Sequence, residues 1–214
     1  MEQPKIRAME QPKNQAGERF DRIAWAYDYI IYPAERFGLT RTRCQFLSKV
    51  RGKVLEAGIG TGINLSCYPK SVELTAIDVS PRMMQKAEER ARRRGIDVDF
   101  RLMEVEHLEF PDATFDYVVA TLVFCSVDDP IRGLQELGRV VKPEGEILLL
   151  EHVRSDNPIL GPIMDIGNRF THPFMGDDIN RRTVELVRQS GLDIVDVRSK
   201  RIKILKQIVA KPAA

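Results

Sequence analysis

The chain has 214 residues, 43% hydrophobic and 30% charged, with a formal net charge of +2. This is enough for one α/β domain with a real core, and the small net charge gives no strong field for nucleic acid or acidic partners. Three cysteines (Cys44, Cys67 and Cys125) are too few and too scattered for a disulfide framework or a zinc site, so a reducing cytoplasm is the expected compartment and no metal is expected.

No apolar run approaches the roughly 20 residues that span a bilayer, and the polar N-terminus gives no secretory signal. Met1-Glu2-Gln3-Pro4-Lys5 recurs as Met9-Glu10-Gln11-Pro12-Lys13, too short for a structural repeat, with Met9 as a second candidate start. Residues 1–17 are polar and are expected to form a flexible tail before a single domain over 18–214. Phe20, Ile23, Ala24 and Tyr27 recur at helical spacing over 18–31, and Pro33 ends that helix. A second helix is predicted over 34–50. Both precede the first strand, so 18–50 is read as a lid or flank. Trp25, Tyr27 and Tyr32 either pack against the domain or line a pocket above the glycine-rich turn at 58–62.

Lys53-Val54-Leu55-Glu56-Ala57 reads as the first strand, closed by Gly58, Gly60 and Gly62 at alternate positions and then a segment able to start a helix. Glycine tolerates positive φ and lets a ligand approach the backbone, and open amides at a helix start suit polar ligand groups. Strand two is predicted over 72–77, ending in Asp78. Pro81 opens a helix over 82–94 that Gly95 stops. The basic run Arg90, Arg92, Arg93 and Arg94 complements that helix's dipole. Strands over 97–102 and 117–121, a helix over 130–141 and a strand over 146–150 continue the alternation. A cap is predicted over 153–180, then a helix over 181–190. Strands over 192–197 and 203–210 are joined by a short charged link that predicts a hairpin. The pattern is that of an α/β, doubly wound, Rossmann-like seven-stranded sheet, mostly parallel with an antiparallel last strand.

Two ligands suit the glycine turn. A dinucleotide turn needs a small residue where this chain has the bulky Ile63, and the acid Glu56 precedes the first glycine here. With those residues in view, the chain resembles the class I S-adenosylmethionine-dependent methyltransferases over roughly 18–210. Glu56-Ala57-Gly58-Ile59-Gly60-Thr61-Gly62 matches that family's first motif, and Leu74-Thr75-Ala76-Ile77-Asp78-Val79-Ser80 its second. The 103–112 segment looks like the third, although Glu104 and Val105 stand where Asp and Ala are usual. Phe115-Asp116-Tyr117-Val118-Val119-Ala120 leads into the fourth, and Lys142-Pro143-Glu144-Gly145 resembles the loop before strand five.

The resemblance implies S-adenosylmethionine as cofactor and in-line transfer of its methyl group, with S-adenosylhomocysteine as product. Gly58, Gly60 and Gly62 would approach the methionine part, and Glu56 would orient the turn or meet the ammonium. Asp78 would bind the ribose diol. Val79 and Met83 would flank the adenine, with Glu104 and Val105 at its edge. Thr121 and Leu122 would stand beside the sulfonium, and Tyr27 could offer it an aromatic face. Within the family the acceptor reads as a small or lipidic molecule. Phe20 to Asp28 resembles the entry helix of quinone C-methyltransferases and bacterial phosphatidylethanolamine N-methyltransferases. Residues 121–127 and Glu151-His152-Val153 resemble thiol S-methyltransferases. His152, ending strand five, is a candidate base or a structural histidine; His172, Asn168, Asp177 and Asn180 in the cap are weaker candidates. The basic residues among the last thirty suit a lysine-protected edge strand or contact with an anionic membrane surface. An NAD-dependent oxidoreductase and a cofactor-binding protein without catalysis are the readings from other classes.

Overall fold

The structure, a computed structural model, describes residues 15–154, 158, 161–162, 181–200 and 204–213. The segment 1–14 and most of the predicted 153–180 cap, with Asn168, His172, Asp177 and Asn180, lie outside the described residues.

Seven strands form one sheet: β1 (Lys53–Ala57), β2 (Glu73–Asp78), β3 (Asp99–Leu102), β4 (Phe115–Thr121), β5 (Val141–His152), β6 (Asp193–Lys200) and β7 (Leu205–Lys211). Their order is β3-β2-β1-β4-β5-β7-β6. Strand β1 pairs in parallel with both β2 and β4, so the winding reverses between β1 and β4. Ligands of open α/β sheets bind at such a reversal, beyond the carboxyl ends of the strands. Strand β7 inserts antiparallel between β5 and β6.

Alternate residues of the central strands are buried on opposite faces. Leu55, Val118, Ala120, Ile147 and Leu149 pack with Leu134 and Leu137 of α4 (Pro130–Val140) and Val187 of α5 (Thr183–Gln189). Val54, Val119, Leu148 and Leu150 pack on the other side with Phe46 and Leu47 of α2 (Thr40–Leu47) and Ala87 and Ala91 of α3 (Pro81–Arg94). Pro81 opens α3 and Ser80 caps it, its hydroxyl accepting from the Met83 amide.

The first third of the chain differs from expectation in four ways. Helix α1 spans Gln15–Ala34, so residues 15–17 of the expected tail are helical, with Ala16 and Gly17 buried. A Cβ on Gly17 would stand 2.8 Å from the Val79 carbonyl oxygen, so glycine lets α1 lie directly on the loop after β2. The expected single helix over 34–50 is broken at Phe37 and Gly38, where Gly38 has φ 109°. Trp25 and Tyr32 neither pack nor line a pocket; they are 74% and 62% exposed. Finally, the segment after Gly62 forms only a 3₁₀ turn, Ile63–Ser66, rather than a full helix start.

The cysteines require another correction. Cys44 in α2 and Cys67 just after the 3₁₀ turn form a disulfide. Their separation of 23 residues concealed a pairing that the packing of α2 on the turn creates. Cys125 is buried outside it.

Candidate active site

A cavity of about 850 Å³, open to solvent, lies over the carboxyl ends of β1, β2 and β4. Gly58 and Gly60 form its floor, with Asp78, Val79, Met83 and Val105 at one end and Thr121 and Leu122 at the other. Of the candidates named from sequence, Tyr27 also lines it, whereas Glu56, Gly62, Glu104 and His152 do not.

The glycine turn is tight by necessity. Gly58 has φ +70°, and a Cβ there would come within 2.5 Å of the Val123 side chain. Gly60 has φ +55°, and a Cβ there would meet nothing within 4 Å, because that direction is open space. Its amide donates to Asp78 Oδ2 at 2.7 Å, while Asp78 Oδ1 accepts from the Ser80 amide at 2.9 Å. The carboxylate is thus fixed between the two loops and retains lone pairs for a diol. Burial pushes its pKa up to about 6, against the lowering effect of those amides.

Beneath the turn lies a buried polar cluster. Arg43 from α2 is 4% exposed. It donates through Nε to Glu35 Oε1 at 3.0 Å, and through Nη1 to Asn64 Oδ1 at 3.1 Å and Thr121 Oγ1 at 2.7 Å. Asn64 Nδ2 donates in turn to Glu56 Oε1 and to Thr121 Oγ1, both at 2.7 Å. Glu56 therefore supports the turn from below. Its Oε2 has no hydrogen-bond partner among the described residues, and burial pushes its pKa up to about 7. Glu151 at the end of β5 is its counterpart. Its Oε1 accepts from the amides of Val123 and Phe124, its Oε2 is likewise unpartnered among the described residues, and burial again raises the pKa to about 7.

Helix α1 closes the cavity from above with Ala16, Phe20 and Tyr27; Phe20 and Tyr27 meet edge to face. Acids at seven-residue intervals hold it down. Asp21 accepts from the Ser80 hydroxyl and the Arg82 amide, Asp28 from the Thr61 hydroxyl and the Arg90 guanidinium, and Glu35 from Arg43. Seven residues are nearly two helical turns, so these acids share one face. Arg90, a dipole partner by its position in the sequence, is therefore also the anchor of the lid.

The residues missed from sequence are Arg43, Asn64, Asp28 and Glu106, which lines the cavity and accepts from the Asp129 amide at 2.8 Å. Glu104, two positions earlier, lies 3.7 Å from His107 Nδ1. The seven-residue acid spacing was the one readable signal for the lid contacts. His152 is neutral-leaning: burial, then Arg43, lowers its pKa. Among the described residues no group of His, Cys, Asp or Glu could hold a metal ion, and no helix is long and apolar enough to cross a membrane.

Residues 55–149 match the family model described as a methyltransferase domain. The chain is 36% identical over 149 residues to a phosphatidylethanolamine N-methyltransferase of Cereibacter sphaeroides, covering 68% of this chain and 73% of that one. It is 28% identical to a ubiquinone/menaquinone biosynthesis C-methyltransferase of Bdellovibrio bacteriovorus, covering 60% and 56%. It is 37% identical to a thiol S-methyltransferase of Rattus norvegicus, covering 47% and 42%. The match thus spans little over half of the second relative and less than half of the third. In structure, a SAM-dependent methyltransferase from Thermotoga maritima superposes with a TM-score of 0.69 at 22% identity, covering 93% of this chain and all of that one.

Proposed function

Because the chain belongs to the methyltransferase-domain family and is an S-adenosylmethionine-dependent methyltransferase, we propose that its acceptor is the primary amine of a phospholipid of the phosphatidylethanolamine type. The observation that carries this reading is the outer face of α1. Trp25, Tyr29 and Tyr32, at helical spacing, are exposed, as are Ile30 and Phe37 nearby. Arg22, Arg36 and Arg41 are exposed around them, while Asp21, Asp28 and Glu35 are turned inward. Aromatic residues ringed by cations are suited to a lipid headgroup layer. The greater coverage of the phospholipid enzyme than of the thiol enzyme supports the same choice.

S-adenosylmethionine, when bound, supplies a methyl group on positively charged sulfur. The chain's own task is alignment, which can contribute on the order of 7–11 kcal/mol. Asp78 would hold the ribose diol, Val79, Met83 and Val105 the adenine, and the Gly58–Gly60 backbone the methionine arm. Tyr27 would present its ring near the cationic centre. Helix α1 partly covers this arrangement with Ala16, Phe20 and Tyr27. An ammonium acceptor must lose a proton before it can attack; His152 does not line the cavity and is not assigned that role.

The test uses methyl-labelled cofactor with phosphatidylethanolamine vesicles, a quinone precursor and a small thiol. Phosphatidylethanolamine should be labelled. The double change Trp25→Ser with Tyr29→Ser should abolish vesicle binding while S-adenosylmethionine affinity persists. Labelling of the thiol or the quinone precursor alone would overturn the acceptor assignment.

A further inference from the structure

A second cavity, of about 380 Å³, lies beyond the carboxyl end of β5. Arg154, Arg182 and Lys206 line it, with Glu185 the one acid among the described lining residues. Thr183 lines it too. It is 1% exposed, and its hydroxyl has no hydrogen-bond partner among the described residues. Arg154 and Lys206 have further contacts of their own. Arg182 beside a buried hydroxyl that has no partner among the described residues is an arrangement for an anion, and oxyanions suit such donors best.

Two connections join this cavity to the first. Glu151 accepts the amides of Val123 and Phe124, and Val123 lines the first cavity; two residues on, Val153 lines the second. That is about 7 Å along a strand. Separately, Arg181 donates to the carbonyl of Val127 at 2.6 Å, and Val127 lines the first cavity, while Arg182 and Thr183 line the second.

We infer that the second cavity binds a phosphate group, that of the acceptor itself, and so sets the distance of the acceptor amine from the transferred methyl. The inference rests on the proposed phospholipid acceptor. In an ethanolamine phospholipid two carbons and an oxygen separate nitrogen from phosphorus, so one molecule reaches from this cavity towards the other. The site selects amines that carry a phosphodiester over amines that do not.

The experiment uses the full chain saturated with S-adenosylmethionine. Inorganic phosphate is titrated calorimetrically, and phosphatidylethanolamine turnover is measured in neutral detergent micelles with and without phosphate. The wild type should bind phosphate, and phosphate should compete with the lipid and not with the cofactor. Arg182→Gln combined with Lys206→Gln should raise the KM for the lipid about tenfold, as loss of charged hydrogen bonds predicts, with the cofactor KM unchanged. Thr183→Val keeps the shape of the side chain and should weaken phosphate binding without unfolding the chain. Wild-type protein that binds no phosphate, or variants with unaltered lipid KM and phosphate affinity, would overturn the site even if the lipid is methylated. Phosphate binding lost in the variants, with no lipid turnover, would sustain the anion site and overturn the phospholipid reading. Phosphate binding without competition against a methylated lipid would make free phosphate the ligand and reject the headgroup assignment.

Discussion

Arg43 Nη1, on the second helix of the lid region, donates to Thr121 Oγ1 at the end of β4 across 2.7 Å. The same guanidinium reaches Asn64 and Glu35, so one buried cation joins α2, the glycine turn and the sheet. Breaking a buried ion pair by removing one partner costs about 3–5 kcal/mol. Arg43→Met should therefore lower the unfolding free energy, read by urea titration, by an amount of that order and weaken cofactor binding. Arg43→Lys, lacking the planar fork, should recover only part of either. Wild-type midpoint and affinity in Arg43→Met would contradict the role.

Asp28 and Arg90 act differently because their pair lies nearer the surface, with Asp28 partly exposed. Asp28→Asn should change global stability by about 1 kcal/mol or less. Its effect should instead appear in kinetics: α1 is held less firmly, and S-adenosylmethionine should leave faster in stopped-flow displacement. A slower or unchanged release would exclude α1 as a lid.

Acidity should act on stability and binding in opposite directions. Glu56 and Glu151 titrate near 7 in the folded chain, above the ordinary value of 4.5. Between those values the folded state holds more protons than the unfolded state. Their contribution to stability is therefore full below about pH 4.5, falls as pH rises, and is flat above about 7. His152, whose pKa is lowered, opposes this near its ordinary value, since its folded state holds fewer protons there. Asp78 and Glu88, also raised, act in the same sense as Glu56 and Glu151, so four carboxyls against one imidazole leave a net fall in the urea midpoint between about pH 5 and 7.5, and Glu151→Gln should reduce it. Cofactor affinity should instead strengthen as pH rises through about 6, where Asp78 ionises. Asp78→Ala should lose that dependence and about tenfold or more in affinity. Calorimetry at about pH 5 and 7.5, on either side of that ionisation, reads both; unchanged affinity in Asp78→Ala would remove the ribose assignment.

The Cys44–Cys67 disulfide closes a loop of 23 residues. Cross-links of that span stabilise by about 3 kcal/mol in the chain-entropy account. Unfolding under reducing conditions, or of Cys44→Ser with Cys67→Ser, should lose stability of that order. Equal midpoints with and without reductant would show that the bond contributes nothing.

The succession of the central strands, the glycine turn and the place of Asp78 at a strand end were legible in sequence because their determinants are local: positive φ, an apolar run, an acid at a strand end. Arg43 was not legible. It sits in a helix of unremarkable polarity, and its partners Asn64 and Thr121 are 21 and 78 residues away. Glu151 likewise gains its importance from amides that come from another loop. Trp25 and Tyr32 were misread because burial of apolar residues is a one-way tendency, and single large apolar side chains also stand exposed on folded surfaces. The break at Gly38 was masked by good helix formers on both sides of a single glycine.

The placement of β7 governs the order of assembly. Strand β6 is made before β7, yet β7 is its only neighbour among the described strands of the sheet. During synthesis β6 must wait unpaired, and β5 keeps an open edge beside the buried Glu151 until residues 205–211 arrive between them. Such an edge is a template for pairing with other chains. The floor of the active cavity can form early from β1, β2 and β4, but the pairing of β5 beside Glu151 and the second cavity, lined by Val153 and Lys206, are completed last. A ribosome stalled before residue 205 would hold a chain with a nearly formed first cavity and an unfinished second one.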